Sequence, residues 1–293
     1  MHGFLRAVGF SQISERKKLD QIIGRIMEEP TQKHTFQTNK KQYYTEFSKD
    51  FAENMGIAIR GEYDELGFFH LEHYFPYFSG NIVTVREDII INKRVDTDAF
   101  TGMCDIYKLG VSLIFYLQNS VDYMNSKSKD NISRTASVNI SALSTEGNIL
   151  LGLEKDEKAT QKGLADFKKR TQLIADARAG NQDAIDSLTI EEIDLYASIN
   201  KRARTQDIYS IVETCFVPYG SESDNYSIVG IILNWKIVTN QYTNEEVYQI
   251  LMNCNDLVFS VCINKKDLFG EPMIGRRFKG TIWMQGKVDF ADF

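Results

Sequence analysis

The amino-acid sequence predicts an α+β fold. A mostly antiparallel N-terminal sheet carries a packed helix, a helical connector follows, and a small C-terminal β-domain forms either an OB-like barrel or an open antiparallel sheet. Three observations predict it. An apolar stripe of helical period follows Ser14, two hairpins can be put into register from residue spacing, and the stretch 157–206 between them has helical periodicity. The expected division is a domain over 1–124, a linker or long loop over 125–136, a hairpin plus helical connector over 137–206, and a β-domain over 207–293.

Residues 3–10 read as a short strand. From Ser14 a helix begins, with Leu19, Ile22, Ile23, Ile26 and Met27 on one face, and Pro30 stops it because proline cannot donate the backbone hydrogen bond a helix interior needs. Residues 43–118 show short runs of aromatic and β-branched residues broken by glycine, the pattern of strands. One hairpin turns through Glu65-Leu66-Gly67, with Gly67 in the left-handed position. Tyr63 then faces Phe69, Gly61 faces Leu71, Ile59 faces His73 and Ile57 faces Phe75 on an apolar side. Glu62 faces His70 and Arg60 faces Glu72 on a charge-complementary side.

Residues 125–136 are rich in Ser, Asn and Lys, as in a surface connection. The run 137–154 reads as two strands about a turn at Gly147. A helix beyond 157 places Leu164, Phe167, Thr171, Ile174 and Ala175 on one side and ends at Gly180. Thr189 with Glu192 fits a capping box that opens another helix. In the last segment, a two-residue turn at Asn255-Asp256 opposes Cys254 to Leu257, Met252 to Phe259, Ile250 to Val261 and Tyr248 to Ile263. Strands around 228–237 and 278–288, with a short turn at Lys265–Pro272, complete that β-domain.

The run Cys262-Ile263-Asn264-Lys265-Lys266-Asp267-Leu268-Phe269-Gly270-Glu271-Pro272 is followed by Gly275-Arg276-Arg277-Phe278-Lys279-Gly280 and then Trp283-x-Gln285-Gly286. These motifs, with Phe4–Phe10 and Gly110–Asn119, resemble those of an uncharacterised bacterial protein family of about this length. The resemblance spans nearly the whole chain. It implies a bacterial cytoplasmic setting and brings no activity or catalytic residues with it.

Composition narrows the function classes. The chain has 293 residues, 43% of them hydrophobic and 25% charged, which fits a folded globular protein. A net charge of -6 argues against a general nucleic-acid binder. The N-terminal segment lacks the basic-then-apolar pattern of a signal peptide, and no apolar run approaches the ~18 residues of a membrane span. Cys104, Cys215, Cys254 and Cys262 lack C-x-x-C spacing, so reduced thiols in a soluble cytoplasmic protein are expected.

Candidate chemistry is sparse. His70-Leu71-Glu72-His73 has the residue types of a metal or acid/base site. On a strand, however, His70 and His73 point to opposite sides, and Glu62 and Arg60 offer charge partners. His70, Glu72 and Glu62 are therefore weak catalytic candidates, with Asp105 as a further converging group, and no metal or cofactor is expected. No G-x-S-x-G, G-x-G-x-x-G or G-x-x-x-x-G-K-[ST] motif occurs. Near the C-terminus, Phe278, Ile282, Met284 and Val288 alternate with Lys279, Thr281, Trp283, Gln285 and Lys287. If the first set faces inward, Trp283 on the outer face beside Arg276, Arg277 and Lys279 can stack a planar ligand, or else it packs on another part of the chain. Trp235 alternates with Val229, Ile231, Leu233 and Ile237 and is expected inside. The leading expectation is a non-enzymatic binding or interaction protein, its partner a protein or a small planar ligand. The alternatives are an enzyme using His70 and Glu72, and single-strand nucleic-acid binding through the OB-like domain.

Overall fold

The computed structural model describes residues 2–13, 15–39, 42–94, 99–106, 111–127, 135–152, 173, 176, 180–190, 212–220 and 223–290. It is mostly sheet with few helices. The chain divides into two compact units, one of residues 1–150 with 214–293 and the other of residues 151–213. Among the described residues, no helix is long and apolar enough to cross a membrane.

The larger unit opens with a 3-10 turn, Gly3–Val8, where the sequence suggested a strand. Gly9 sits at φ 84°, a conformation glycine adopts without the Cβ clash other residues meet, and its N–H closes the turn on Arg6 O. Helix α1, Arg16–Glu28, buries Leu19, Ile22 and Ile26, as their spacing predicts. A four-stranded antiparallel sheet follows in the order β1 (Gln32–Asn39), β2 (Gln42–Ala52), β3 (Met55–Tyr63) and β4 (Phe69–Phe78). One face of this sheet carries Phe47, Phe51, Ile57, Ile59 and Phe78, which pack with α1 and the N-terminal turn.

The β3–β4 hairpin begins in the expected register. Gly67 has φ 84°, and Tyr63–Phe69, Glu62–His70 and Gly61–Leu71 are paired. The register then shifts by one residue, so Arg60 faces His73, Ile59 faces Tyr74 and Ile57 faces Pro76. Glu72 is the extra residue of a bulge. The expected pairs Arg60–Glu72, Ile59–His73 and Ile57–Phe75 are thereby corrected.

Strands β5 (Val85–Asp88), β6 (Ile90–Lys93), β7 (Phe100–Ile106) and β8 (Val111–Leu117) lead to α2 (Ser120–Lys127) and a 16-residue strand, β9 (Thr135–Leu150). The expected linker thus gives its first residues to α2 and its last to β9, and 128–134 lie outside the described residues. β9 passes straight through Gly147, where a turn was expected. A Cβ there would lie 2.5 Å from the Phe278 ring, so the glycine serves close packing rather than reversal.

The remaining strands are β10 (Cys215–Pro218), β11 (Asn225–Thr239), β12 (Glu246–Cys254), β13 (Leu257–Asn264), β14 (Leu268–Phe269) and β15 (Arg277–Asp289). The β12–β13 hairpin matches the expected register pair for pair. Asn255 and Asp256 both have positive φ, as a two-residue hairpin turn requires. β11 pairs with β12, β12 with β13, β13 in parallel with β9, β9 with β15, and β15 back with β11. Ile228, Ile232, Ile250, Met252, Phe259, Val261, Ile140, Phe278, Ile282 and Met284 from these five strands fill one apolar core. The C-terminal strands therefore share their core with β9, which precedes them by more than sixty residues.

In the smaller unit, residues 182–190 are helical. Asn181 caps this helix with its side-chain oxygen on Ala184 N, 3.3 Å away. Thr189, expected to cap a helix, lies inside this one and donates to Ile185 O at 2.9 Å. Leu164, Phe167, Thr171, Ile174, Ala175 and Glu192 lie outside the described residues.

Candidate functional site

The second face of the four-stranded sheet is polar. Along β2, Tyr44, Glu46, Ser48 and Asp50 fall on alternate positions and so share one face. Cross-strand pairing adds His34 and Gln32 from β1, Arg60 and Ala58 from β3, and His73, Phe75 and Tyr77 from β4. Residues 118–122, at the end of β8 and the start of α2, cover part of this face. The space left between them is a cavity of about 170 Å³. Its walls include Glu46, Asp50, Tyr77, Asn119, Asp122 and Lys287.

Glu46, in the lining, is ion-paired with an arginine buried behind it. Arg60 is fully buried, and its Nε donates to Glu46 Oε2 at 2.5 Å. The same guanidinium donates to Tyr116 Oη at 3.0 Å and to the carbonyl oxygens of Leu117 and Gln118, and it lies 4.5 Å from the Phe75 ring centroid. Burial alone would weaken this cation, but Glu46, Tyr116 and Tyr44 hold its pKa above the ordinary value. Burial also pushes the Tyr116 hydroxyl up to about 12, so at neutral pH it remains a phenol.

The walls are held by neutral donors. Tyr77 Oη donates to Asp50 Oδ1 at 2.5 Å; burial and then the Asp50 charge push the Tyr77 hydroxyl well up, so it keeps its proton. Gln118 Nε2 donates to Phe78 O at 2.8 Å and to Gln285 Oε1 at 2.9 Å. Asn119 Nδ2 donates to Val288 O at 2.8 Å and to Asp122 Oδ2 at 3.1 Å, while its oxygen accepts from Val288 N. His34 Nδ1 lies 3.1 Å from Asp122 Oδ1. A wider recess of about 500 Å³ adjoins the cavity and shares Asn119, Asp122 and Lys287 with it.

The residues singled out from sequence lie elsewhere. His70 is exposed near the β3–β4 turn, with Nε2 2.8 Å from Asp64 Oδ2. His70 and backbone N–H groups of the turn hold the Asp64 carboxyl below its usual range. Glu62 pairs with His70 across the strands, and Glu72 is exposed at the bulge. His73 is turned to the polar face, 3.4 Å from Tyr116 Oη. Asp105, on β7, accepts from Ser112 Oγ at 2.5 Å. Among the described residues, no group of three or more His, Cys, Asp or Glu could hold a metal ion.

Trp283 lies on the opposite face of β15 from Phe278, Ile282 and Met284, as its spacing predicts, yet it is covered and only 5% exposed. His2, Phe4 and Tyr116 pack around its rings at 4.8, 5.4 and 5.1 Å, and its Nε1 donates to Asp224 at 2.9 Å. Arg277 is buried, whereas Arg276 donates to Glu271 O and Lys279 is half-buried further along the strand. Trp235, expected inside, is 38% exposed. A bulge at Leu233 breaks the alternation, and β11 runs on beyond Ile231, where its pairing with β15 ends. Val229, Ile231 and Leu233 are thus out of phase with the core positions Ile228 and Ile232.

Sequence reasoning overlooked the cavity. Its signal was the alternation of Tyr44, Glu46, Ser48 and Asp50, a polar row opposite Phe47 and Phe51.

A family model described as "Domain of unknown function, E. rectale Gene description (DUF3881)" matches residues 5–286. No curated protein and no solved structure matches the chain.

Proposed function

We infer the role of this chain, which belongs to that family of unknown function, from the polar cavity alone, and propose that it is a non-enzymatic binding protein for a small polar molecule. The observation that carries the proposal is the convergence of Glu46, Asp50, Tyr77, Asn119, Asp122 and Lys287 on one cavity of about 170 Å³. Polar groups brought together in a concavity and fixed by their own hydrogen bonds can orient a ligand at little ordering cost. The volume lies below the ~300 Å³ at which pockets for drug-sized molecules begin, so the ligand is small.

We read the circuit formed by β11, β12, β13, β9 and β15 as OB-like, with β9 supplied from earlier in the chain. In such folds the outer face of the second and third strands takes oligonucleotides. Here the corresponding side chains, Val247 and Cys262, are buried in one cluster with Leu5, Ala7 and Val8. That burial, with the covered Trp283 and the net charge of -6, leaves single-strand nucleic-acid binding without support. The enzyme reading is also weaker, because His70 and Glu72 are exposed at the hairpin and neither lines the cavity. We propose a cytoplasmic setting, which the free thiols favour.

The test is a thermal-shift screen of the full chain against small polar molecules, repeated with Ala58→Leu. Ala58 is buried and lines the cavity, so the larger side chain fills it. Stabilisation by a small molecule that disappears in the folded Ala58→Leu variant is the expected result. Equal stabilisation of both proteins, or of neither, would overturn the proposal.

A further inference from the structure

The charges lining the cavity are unevenly satisfied. Glu46 has Arg60 as counter-ion at 2.5 Å, and the Asp122 carboxylate has two nitrogen neighbours, His34 Nδ1 at 3.1 Å and the Asn119 Nδ2 that donates to it at 3.1 Å. The carboxamides of Gln118 and Asn119 are engaged with Phe78, Gln285, Val288 and Asp122, so they build the wall and hold Asp122 in place. Asp50 differs. Its Oδ1 accepts from the neutral Tyr77 hydroxyl, its backbone N–H donates to Thr31 Oγ1, and among the described residues no cationic side chain pairs with its carboxylate.

Lys287 is the counterpart. It stands on β15 opposite Asn139 of β9, is exposed, and lines both the cavity and the wider recess. Among the described residues, Lys287 has no carboxylate within ion-pair distance, although Asp122 and Asp289 line the recess with it. One small cavity therefore presents a carboxylate without a counter-cation and an ammonium without a counter-anion. The half-buried Asp50 charge is costly unless it is paired, the exposed Lys287 ammonium can reach over the same cavity, and a ligand carrying both complementary charges pairs with the two together.

Resting on the cavity reading above, we propose that the ligand is a small zwitterion of the amino-acid class, its ammonium on Asp50 and its carboxylate on Lys287. Tyr77 fixes the Asp50 carboxylate from the side its proton occupies, leaving Oδ2 to accept from the ligand. Three carboxylates in the lining disfavour a ligand whose only charge is negative, and the small volume of the cavity limits the ligand to a few heavy atoms.

The experiment is isothermal titration of the full chain with glycine, β-alanine and 4-aminobutyrate, beside butylamine and butyrate as single-charge probes and glycerol as a neutral one. One zwitterion is expected to bind at least about tenfold more tightly than either single-charge probe. Asp50→Asn should weaken the zwitterion and butylamine, and Lys287→Met should weaken the zwitterion and butyrate. Butylamine binding as tightly as every zwitterion would overturn the assignment without any variant having to fold. Glycerol binding best, with loss in Ala58→Leu, would remove the zwitterion and leave the cavity reading standing. Binding of none of the probes would remove the zwitterion; the cavity reading would then stand or fall on the wider screen with Ala58→Leu.

Discussion

Arg60 and Glu46 face each other across β3 and β2 at 2.5 Å, with the guanidinium fully buried. The pair ties the four-stranded sheet to β8, because the same arginine donates to Tyr116, Leu117 and Gln118. Removing one partner strands a charge in a dry site. Glu46→Leu should therefore cost about 3–5 kcal/mol, while Glu46→Leu with Arg60→Met should cost clearly less than the two single losses added. Urea unfolding of the four proteins in a double-mutant cycle measures this. Additive losses below about 1 kcal/mol each would show that water reaches the pair.

The two tryptophans provide a second prediction. Trp283 is covered by His2, Phe4 and Tyr116, so Trp283→Ala should cost about 3–5 kcal/mol as a cavity in the core. Trp235, 38% exposed and in edge contact with Tyr248, should cost well under half of that. Iodide should quench emission from the Trp283→Ala variant strongly and that from Trp235→Ala weakly. The reverse order would place the inner face of β11 as its simple alternation suggests.

The four cysteines should titrate as free thiols after denaturation without reductant, since Cys254 and Cys262 occupy offset positions, with Cys262 opposite Gln249. In the native protein, burial pushes the Cys104 and Cys254 thiols up to about 12 and Cys262 higher still. Half-buried Cys215 should react first with an aromatic disulfide reagent at pH 8, and the other three should follow only on unfolding. Early reaction of Cys262 would contradict its burial beside Ala7 and Met55.

Burial lowers the pKa of His2 from 6.5 to about 4. Between those values the unfolded chain binds a proton that the folded chain does not, so stability falls as pH drops from 6.5 toward 4, by up to about 3 kcal/mol, and this contribution is fully present above 6.5. His2→Phe should flatten that part of the stability–pH curve in urea titrations. An unchanged slope would show that His2 titrates normally.

Much of the fold was legible where local signals suffice. The turn residues Gly67 and Asn255-Asp256 located both hairpins, and β12–β13 followed its alternation to the end. The bulges at Glu72 and Leu233 were not legible, because a bulge is chosen by what packs on both faces rather than by the strand's own pattern. The first turned His73 to the polar face; the second set Trp235 opposite Ile250, on the core side of β11 but beyond Ile231, where the pairing with β15 ends. Gly147 looked like a turn because a glycine making room for Phe278 is indistinguishable, in sequence, from one reversing the chain. The partnership of β9 with β13 and β15 joins residues far apart in the chain, beyond the reach of periodicity. The cavity was half legible: the polar alternation along β2 was present, but the cover supplied by residues 118–122 was not.

A small molecule is expected to enter the space between Asp50, Tyr77, Asp122 and Lys287. This is tested by a two-dimensional amide NMR titration of the full chain with whichever of glycine, β-alanine and 4-aminobutyrate binds most tightly. Saturable shifts should be confined to residues near 48–50, 77–79, 118–122 and 287, and should be abolished in folded Ala58→Leu. Saturable shifts that instead centre on His70 and Glu72, or on Trp235, with the cavity residues unmoved, would contradict it.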